Sequence, residues 1–209
     1  MTAVRIKICG LTRLDDVQLA AQLDVDAIGV VLWPGSPRAV SPAAAAALCQ
    51  AAPPWTVRVG VFVAPAVSDV EAAIADIGLG AVQIHGADDA RPYRSLRVPV
   101  LWAASLRPEA PDPVAPAGMA LILDAHDPVR HGGTGRTIDW PRARAIARRA
   151  RLVLAGGLTA ENVEQAIAEV GPYGVDTSSG VEAAPGVKSA ARMTDFVQAV
   201  RRAALPSHA

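Results

Sequence analysis

Two side chains capable of acid–base chemistry each stand at the end of a short apolar run. Cys9 directly follows residues 4–8, and Asp124 closes residues 120–124. A carboxyl group can donate a proton to an oxygen while a thiolate removes a proton from carbon, and each such transfer typically accelerates a reaction ~10²–10⁴-fold. The pair predicts a site that moves protons in both directions. Asp127, which lies further from the run and precedes Pro128, is the second choice for the carboxyl.

The position of Cys9 along the chain favours a chemical role. Gly10 can adopt a turn conformation that other residues resist, and residues 12–15 (Thr-Arg-Leu-Asp) resemble a capping box with Thr12 as the N-cap of a helix. A thiol between a strand end and a helix start lies near free backbone N–H groups, which stabilise a thiolate. The alternatives are structural: a free cysteine in a strand is most often a small buried apolar side chain, and Asp124 could cap a loop backbone.

Two glycine-containing segments late in the chain predict a phosphate site. The first contains Gly156 and Gly157, and the second contains Ser178, Ser179 and Gly180. Glycine lets backbone N–H groups approach an anion, and a helix N-terminus favours negative charge. The alternative is that these glycines only form tight turns.

Other polar residues follow apolar runs elsewhere in the chain. Arg38 lies in a loop rich in proline and glycine, where a stiff backbone could hold its guanidinium for bidentate binding of a carboxylate. The alternative is an ordinary surface arginine. His85 ends an apolar run, so it either lines the site or forms a structural hydrogen bond. Residues 132–135 (Gly-Gly-Thr-Gly), with His126 and His131 before them, predict a hinge or lid over the site.

Eight short runs, most of them apolar throughout, alternate with helical segments. They are residues 4–8, 27–32, 57–63, 81–85, 98–103, 120–124, 151–155 and 173–177. Continuous apolar runs are typical of parallel strands that helices cover. The chain therefore predicts an α/β fold, a single-domain (β/α)8 TIM barrel over residues 1–209, with its active site at the carboxyl ends of the strands. The alternative, an open doubly wound sheet, lacks its Gly-x-Gly-x-x-Gly fingerprint after strand 1.

Local signals predict where the helices begin and where one is missing. Ser41 before Pro42, Asp139 and Thr159 are expected N-caps, and residues 68–71 (Ser-Asp-Val-Glu) form a capping box. Four prolines in residues 105–118 predict an irregular segment in place of the helix between strands 5 and 6. The last helix is expected to bury one apolar stripe, made of Met193, Phe196, Val197 and Val200.

Composition narrows the class of protein. The 209 residues are 51% hydrophobic with a net charge of +0, which argues against a nucleic-acid surface. Only two of the 20 basic residues are lysines, Lys7 and Lys188. Cys9 and Cys49 show no metal-binding spacing and indicate a reducing compartment. No apolar run approaches the ~20 residues that span a membrane, and a strand from residue 4 leaves no room for a signal peptide. We therefore expect a cytoplasmic protein. We also expect a monomer or homodimer.

Ordered motifs along the whole chain resemble the phosphoribosylanthranilate isomerase family of tryptophan biosynthesis. They are Lys7-Ile8-Cys9-Gly10-Leu11-Thr12, Gly60-Val61-Phe62-Val63, Val82-Gln83-Ile84-His85-Gly86, Leu123-Asp124, Gly132-Gly133-Thr134-Gly135 with Asp139-Trp140, Ala155-Gly156-Gly157-Leu158-Thr159 with Glu161-Asn162-Val163, and Asp176-Thr177-Ser178-Ser179-Gly180-Val181-Glu182. The first and last of these motifs are together specific for the family. The loop at residues 33–40 departs from the more basic or aromatic version that is usual there.

The resemblance implies an Amadori rearrangement of N-(5-phosphoribosyl)anthranilate to 1-(2-carboxyphenylamino)-1-deoxyribulose 5-phosphate. It implies Asp124 as general acid on the ring oxygen, Cys9 as general base on the ribose C2 proton, and Arg38 as the partner of the anthranilate carboxylate. It implies no metal and no organic cofactor. The remaining residues expected to bind substrate are His85, Gly156, Gly157, Asp176, Ser178, Ser179 and Gly180.

Three other functions compete with this interpretation. The bifunctional isomerase of histidine and tryptophan biosynthesis uses two aspartates, whereas Cys9 occupies the strand-1 position here. A barrel that binds a phosphorylated ligand without turnover would not need both Cys9 and Asp124. A structural subunit of a larger assembly would be expected to carry a linker or an appended domain.

Overall fold

Eight parallel strands close into a barrel in chain order, as predicted. The computed structural model describes residues 4–107, 110–124 and 139–204. Each strand pairs with the next, and the eighth pairs with the first. The strands are β1 (Arg5–Ile8), β2 (Ala27–Val31), β3 (Val57–Val63), β4 (Ala81–His85), β5 (Val100–Ser105), β6 (Ala120–Asp124), β7 (Leu152–Leu154) and β8 (Gly174–Thr177).

Alternation along the strands separates two kinds of core. Ile6 and Ile8 of β1 point outward and join the large core between the sheet and the helices. Inside the barrel lie two small apolar clusters, one around Cys9, Val31 and Val61 and one around Ile122, Val153 and Ala155. Lys7 and Cys9 alternate with Ile6 and Ile8 and therefore face the barrel interior.

Six α-helices lie in the described part of the chain. They are α1 (Leu14–Gln22), α2 (Pro42–Ala51), α3 (Val67–Ile77), α4 (Trp140–Ala147), α5 (Val163–Val170) and α6 (Ala190–Ala204). The predicted apolar stripe of α6 is confirmed, since Met193, Phe196, Val197 and Val200 are all fully buried.

Two of the predicted helix caps are confirmed. The Ser41 side chain accepts a hydrogen bond from Ala44 N–H at 3.2 Å, and Pro42 follows it as the first residue of α2. The Asp139 carboxylate accepts from Arg142 N–H at 3.1 Å at the start of α4.

Three predicted helix starts are wrong. Arg13 rather than Thr12 is the N-cap of α1, because the Thr12 hydroxyl donates to the carbonyl of Gly186 instead. Ala66 precedes α3, so Ser68 lies inside its first turn. Asn162 precedes α5, and its side chain accepts from Thr159 N–H at 2.9 Å.

The predicted irregular segment between β5 and β6 is confirmed. Residues 106–107 and 110–119 form neither helix nor strand. The connection from β4 to β5 also lacks an α-helix, which the sequence did not lead us to expect: it holds one short 3-10 helix, Arg91–Ser95. Its Pro92 and short length favour the tighter turn over a full helix.

A small hairpin follows β8 at the carboxyl end of the barrel. A 3-10 turn (Ser179–Val181) leads into β9 (Glu182–Ala184), which pairs antiparallel with β10 (Val187–Lys188). None of the helices in the described part of the chain is long and apolar enough to span a membrane.

Candidate active site

The carboxyl ends of the strands bring the predicted site residues to one mouth of the barrel. Cys9 follows β1, His85 ends β4, Asp124 ends β6 and Asp176 lies in β8. Arg38 follows β2, and the glycines and serines of the predicted phosphate site follow β7 and β8. The alternative acid Asp127, together with His126, His131 and the predicted lid at 132–135, lies outside the described residues.

Cys9 is buried at the top of the barrel interior. The Cys9 backbone N–H donates to the Thr177 carbonyl at 2.8 Å, which ties the end of β1 to the end of β8. Its thiol lies against Gly29 of β2, where an added Cβ would come within 2.7 Å of Sγ. Burial raises the pKa of the Cys9 thiol, and the positive charge of Lys7 opposes that rise. Cys9 thus has the burial of a structural cysteine and also a cation beside it.

A charged layer crosses the barrel interior below Cys9. Lys7 Nζ donates to Asp176 Oδ1 and to Gln83 Oε1, both at 2.9 Å. The Lys7 and Asp176 side chains are only 5% and 8% exposed. Burial raises the pKa of Asp176, against the pull of Lys7. Burial tends to lower the pKa of Lys7, but the charges of Asp176 and Cys9 raise it to about 12. The lysine therefore stays charged at neutral pH.

The same layer orients His85. Lysine can only donate, so the Gln83 oxygen must face Lys7 and the Gln83 amide nitrogen must face away. That nitrogen lies 2.6 Å from His85 Nε2. His85 Nε2 is therefore the acceptor, and the polar chain runs from the interior to the end of β4.

Asp124 is half-buried as the last residue of β6. It lies opposite Ser105 in the parallel register with β5. The mouth therefore carries a carboxyl group on β6 and a thiol on β1, with β7 and β8 between them.

Arg38 forms an ion pair that continues inward to a second buried lysine. Its Nε and Nη2 donate to the two oxygens of Glu182 at 2.7 and 2.6 Å. Lys188 Nζ, with a completely buried side chain, donates to Glu182 Oε1 at 2.8 Å and to the Ser178 carbonyl at 3.0 Å. Burial tends to raise the pKa of Glu182, but the hydrogen bonds from Arg38 and Lys188 lower it. Burial lowers the pKa of Lys188, although Glu182 opposes that effect. With both basic groups protonated, two cations face one carboxylate, which favours an anion at this site.

Arg38 also explains why Gly10 is needed. Gly10 has a φ of +70°, as the turn after β1 predicted. An added Cβ there would lie 2.6 Å from Arg38 Cδ and 3.0 Å from Ser178 Oγ. Arg38 and Ser178 thus pack directly over the backbone of Gly10.

The loops after β7 and β8 pack against each other. Gly156 and Gly157 have φ values of +80° and +70°, which favour glycine. The Leu158 carbonyl accepts from Thr177 Oγ1 at 2.8 Å, and an added Cβ on Gly180 would lie 2.0 Å from that same oxygen. The two predicted phosphate segments are therefore one joined surface, with Ser179 in the 3-10 turn beside Gly180.

Several residues of this site were missing from the sequence-based set of site residues. They are Lys7, Gly29, Gln83, Glu182 and Lys188. One signal pointed to two of them: arginine supplies all other basic residues of the chain, so a lysine is unusual here. Lysine is a compact charge with rotatable donors, which suits a crowded interior better than the planar guanidinium fork.

No metal centre is present among the residues that the structure describes. No group of three or more His, Cys, Asp or Glu side chains in those ranges has the arrangement to hold an ion.

Comparisons with known proteins agree with the geometry of this barrel. The sequence profile of the N-(5'-phosphoribosyl)anthranilate isomerase family matches residues 6–199. An N-(5'-phosphoribosyl)anthranilate isomerase from Pelobacter propionicus is 41% identical over 197 residues, which cover 93% of this chain and 94% of the relative.

Solved structures give the same result. A phosphoribosylanthranilate isomerase in complex with reduced 1-(o-carboxyphenylamino)-1-deoxyribulose 5-phosphate has a TM-score of 0.82 and 33% identity, covering 95% of this chain and 99% of that one. Monomers of the dimeric enzyme from Thermotoga maritima have a TM-score of 0.81 and 32% identity, with the same coverage of 95% and 99%. With a matching profile over most of its length and relatives of this similarity, the chain belongs to the N-(5'-phosphoribosyl)anthranilate isomerase family.

Proposed function

We propose that this protein converts N-(5-phosphoribosyl)anthranilate to 1-(2-carboxyphenylamino)-1-deoxyribulose 5-phosphate, with Asp124 as general acid and Cys9 as general base. The observation that carries the proposal is the placement of these two groups. They lie at the carboxyl ends of β1 and β6 of one closed barrel, where TIM-barrel enzymes hold their catalytic groups.

The first step opens the ribose ring. Asp124 donates its proton to the furanose oxygen as the bond from that oxygen to C1 breaks. The lone pair of the anthranilate nitrogen forms a C1=N double bond, which leaves a protonated Schiff base. Its electron demand acidifies the proton on C2.

The second step moves the double bond. The Cys9 thiolate removes the C2 proton, the C–H electrons form C1=C2, and the C1=N electrons return to nitrogen. The resulting enolamine becomes the ketone when the 2-hydroxyl loses its proton and C1 gains one. Asp124 has then lost a proton and Cys9 has gained one, so exchange with solvent restores both groups.

The remaining groups hold the two ends of the substrate. Arg38 uses Nε and Nη2 for Glu182, so Nη1 is the nitrogen that can meet the anthranilate carboxylate without breaking that ion pair. The phosphate is expected at the joined loops of Gly156, Gly157, Ser178, Ser179 and Gly180, where backbone N–H groups and the nearby Lys188 favour an anion. His85 lines the site from the end of β4, whereas Asp176 acts from the buried layer below Cys9, where it accepts from Lys7.

A turnover assay tests the reaction. We expect the purified protein to consume freshly generated phosphoribosylanthranilate, followed by the loss of its anthranilate fluorescence, and to form the ribulose product, identified by mass and retention. A folded sample that leaves the substrate unchanged would contradict the proposal.

Single substitutions test the two roles. Cys9→Ala is expected to fold normally and to lose turnover by at least ~10²-fold, the lower end for a general base. Asp124→Asn should be similarly impaired, and Asp127→Asn only mildly. The reverse order of the two asparagine variants would assign the acid to Asp127.

The proposed mechanism needs neither a metal nor an organic cofactor. Turnover should be unchanged after dialysis against a chelator, and restoration by an added divalent ion would contradict this. We also expect one or two subunits per particle, as for the dimeric relative; light scattering across a range of protein concentrations measures this.

A further inference from the structure

Lys7 lies in β1, and Cys9 directly follows the strand. The two residues are two positions apart in extended chain, so their side chains point to the same side. Lys7 bonds Gln83 of β4 and Asp176 of β8, and only a side chain inside the barrel can reach both strands. Cys9 packs with the interior residues Val31 and Val61. The side chains of Lys7 and Cys9 therefore both lie inside the barrel, in successive layers.

The Lys7 ammonium has a third donor besides the two that bond Gln83 and Asp176. An ammonium carries three N–H groups, and two of them bond Gln83 and Asp176. The Lys7 ammonium lowers the pKa of the Cys9 thiol, against the larger effect of burial. A thiolate at Cys9 can accept a hydrogen bond from that third N–H group.

Stability alone does not account for a lysine at this position. Taking two charges out of water is costly, and apolar replacements of buried ion pairs are often neutral or stabilising. The other clusters inside the barrel are apolar: one surrounds Val61 and the other surrounds Ile122. A charged pair in this place therefore needs a chemical reason.

We propose that Lys7 is a positioning residue of the reaction: its ammonium stabilises the Cys9 thiolate, while Asp176 and Gln83 hold that ammonium below the sulfur. Its consequence for turnover rests on the proposed role of Cys9 as base. The effect of Lys7 on the thiol itself does not depend on which substrate the enzyme uses.

The charges around Cys9 act in opposite directions on its pKa. Burial raises it, Lys7 lowers it and Asp176 raises it; Lys188 adds a weaker lowering effect, and Arg38 also faces the thiol. Because the Lys7 ammonium lowers this pKa more than the Asp176 carboxylate raises it, removal of the Lys7–Asp176 pair should leave a weaker acid. Removal of the Asp176 charge alone should leave a stronger one.

The test measures the Cys9 thiol without substrate. Each variant is made in a Cys49→Ala background, so that Cys9 is the only cysteine. The rate of Cys9 alkylation by iodoacetamide is followed by intact mass across a range of pH. The midpoint of that profile reports the thiol pKa.

Opposite shifts are expected from two variants. Lys7→Met/Asp176→Leu removes both charges and leaves neither one unpaired; it should raise the midpoint by about one pH unit, which slows alkylation ~10-fold at neutral pH. Asp176→Asn keeps the ammonium and should lower the midpoint. Gln83→Met removes one of the two groups that hold the ammonium but no charge, so it should raise the midpoint by less than the double variant does.

A purely structural Lys7 would give a different pattern. Equal midpoints in all folded variants, or a higher midpoint in Asp176→Asn, would overturn the proposal. A loss of turnover without a midpoint shift would assign Lys7 to substrate contact instead. If the predicted shifts occur in a protein that does not isomerise phosphoribosylanthranilate, the proposed function fails and the role of Lys7 stands.

Discussion

At the scale of a single residue, the proposed role of Cys9 as a base conflicts with its surroundings. A base must be ionised to accept a proton, yet burial favours the neutral thiol over the thiolate. Two features of the structure favour the thiolate or make room for it. The buried Lys7 ammonium lowers the pKa of the thiol, and Gly29 on the neighbouring strand has no side chain to occupy the space beside the sulfur.

Gly29→Ala is therefore expected to disturb Cys9 directly. The new methyl group would lie 2.7 Å from Sγ and 3.2 Å from the Cys9 Cα, so the end of β1 must shift as well as the thiol. A displacement approaching 1 Å costs about 10²-fold in rate, and overpacking costs about 1–3 kcal/mol of stability. Turnover and urea unfolding measure the two effects.

Gly80→Ala is the matched control for that variant. Gly80 precedes β4, and an added Cβ there meets no atom closer than 3.6 Å, an ordinary contact. It should leave turnover unchanged. If Gly29→Ala is as active as Gly80→Ala, the packing of Cys9 against β2 does not matter for the reaction.

At the scale of elements, the loops after β7 and β8 depend on one close approach. Gly180 faces the Leu158 carbonyl, and Thr177 donates to the same oxygen at 2.8 Å. Asn162 ties the first loop to the start of α5 by donating to the Gly157 carbonyl at 2.9 Å. The backbone groups expected to bind phosphate are thus placed by contacts between two segments.

Gly180→Ala should separate these loops. An added Cβ would lie 2.0 Å from a backbone oxygen, which no side-chain rotation can relieve. Loss of one or two hydrogen bonds to a charged phosphate corresponds to about a 10-fold to 100-fold rise in KM, with a smaller effect on kcat. Inhibition by inorganic phosphate should weaken in parallel. An unchanged KM would separate the phosphate site from this contact.

Another element-scale contact fastens the segment between β5 and β6. The Asp112 carboxylate accepts from Arg142 at 2.9 Å and from Arg149 at 3.0 Å, and Arg142 also donates to the carbonyls of Arg107 and Ala110. These bonds replace the contacts that a helix would make with α4.

Asp112→Asn should loosen this segment without loss of activity. It keeps the size of the side chain but removes the charge that holds two guanidinium groups. We expect faster amide exchange over residues 110–118 and unchanged turnover. Arg149→Ala, which removes only one of the two partners, should give a smaller increase. Equal exchange in all three proteins would show that the ion pairs do not fasten the segment.

At the scale of the whole molecule, the barrel interior contains a buried charged layer. Most TIM barrels fill the interior with layers of branched apolar side chains. Here one layer contains Lys7, Gln83 and Asp176, connected by two hydrogen bonds of 2.9 Å.

An apolar replacement of this layer should be as stable as the parent or more stable. We expect Lys7→Met/Gln83→Leu/Asp176→Leu to unfold in urea with an equal or higher free energy of unfolding, by up to about 4 kcal/mol, and with an unchanged m-value. Lys7→Met alone leaves the buried Asp176 carboxylate without its partner, so the free energy of unfolding should fall by about 3–5 kcal/mol. A triple variant less stable than the single one would show that the layer holds the fold together.

Much of this fold follows from local sequence patterns. The eight apolar runs became the eight strands, with ends displaced by at most two residues, because strand formation depends on short stretches of β-branched and apolar residues. Closely spaced prolines placed the irregular segment, since a proline beyond the first turn of a helix removes a backbone hydrogen bond and clashes with the preceding turn. The predicted site residues lie together at the mouth of the barrel, because parallel strands all end on the same side.

Only the tertiary structure decided which of these residues touch. Thr12 looks like a helix cap in the sequence, yet its hydroxyl bonds Gly186 in a distant hairpin. The partners of Lys7 lie 76 and 169 residues away, and Glu182 lies 144 residues from Arg38. Such pairs arise from barrel closure and strand register, which local propensity does not encode. The sequence by itself determined the strands, the irregular segment and the motifs of the family, whereas the charge that acts on Cys9 and the partner that holds Arg38 depend on contacts between segments far apart in the chain.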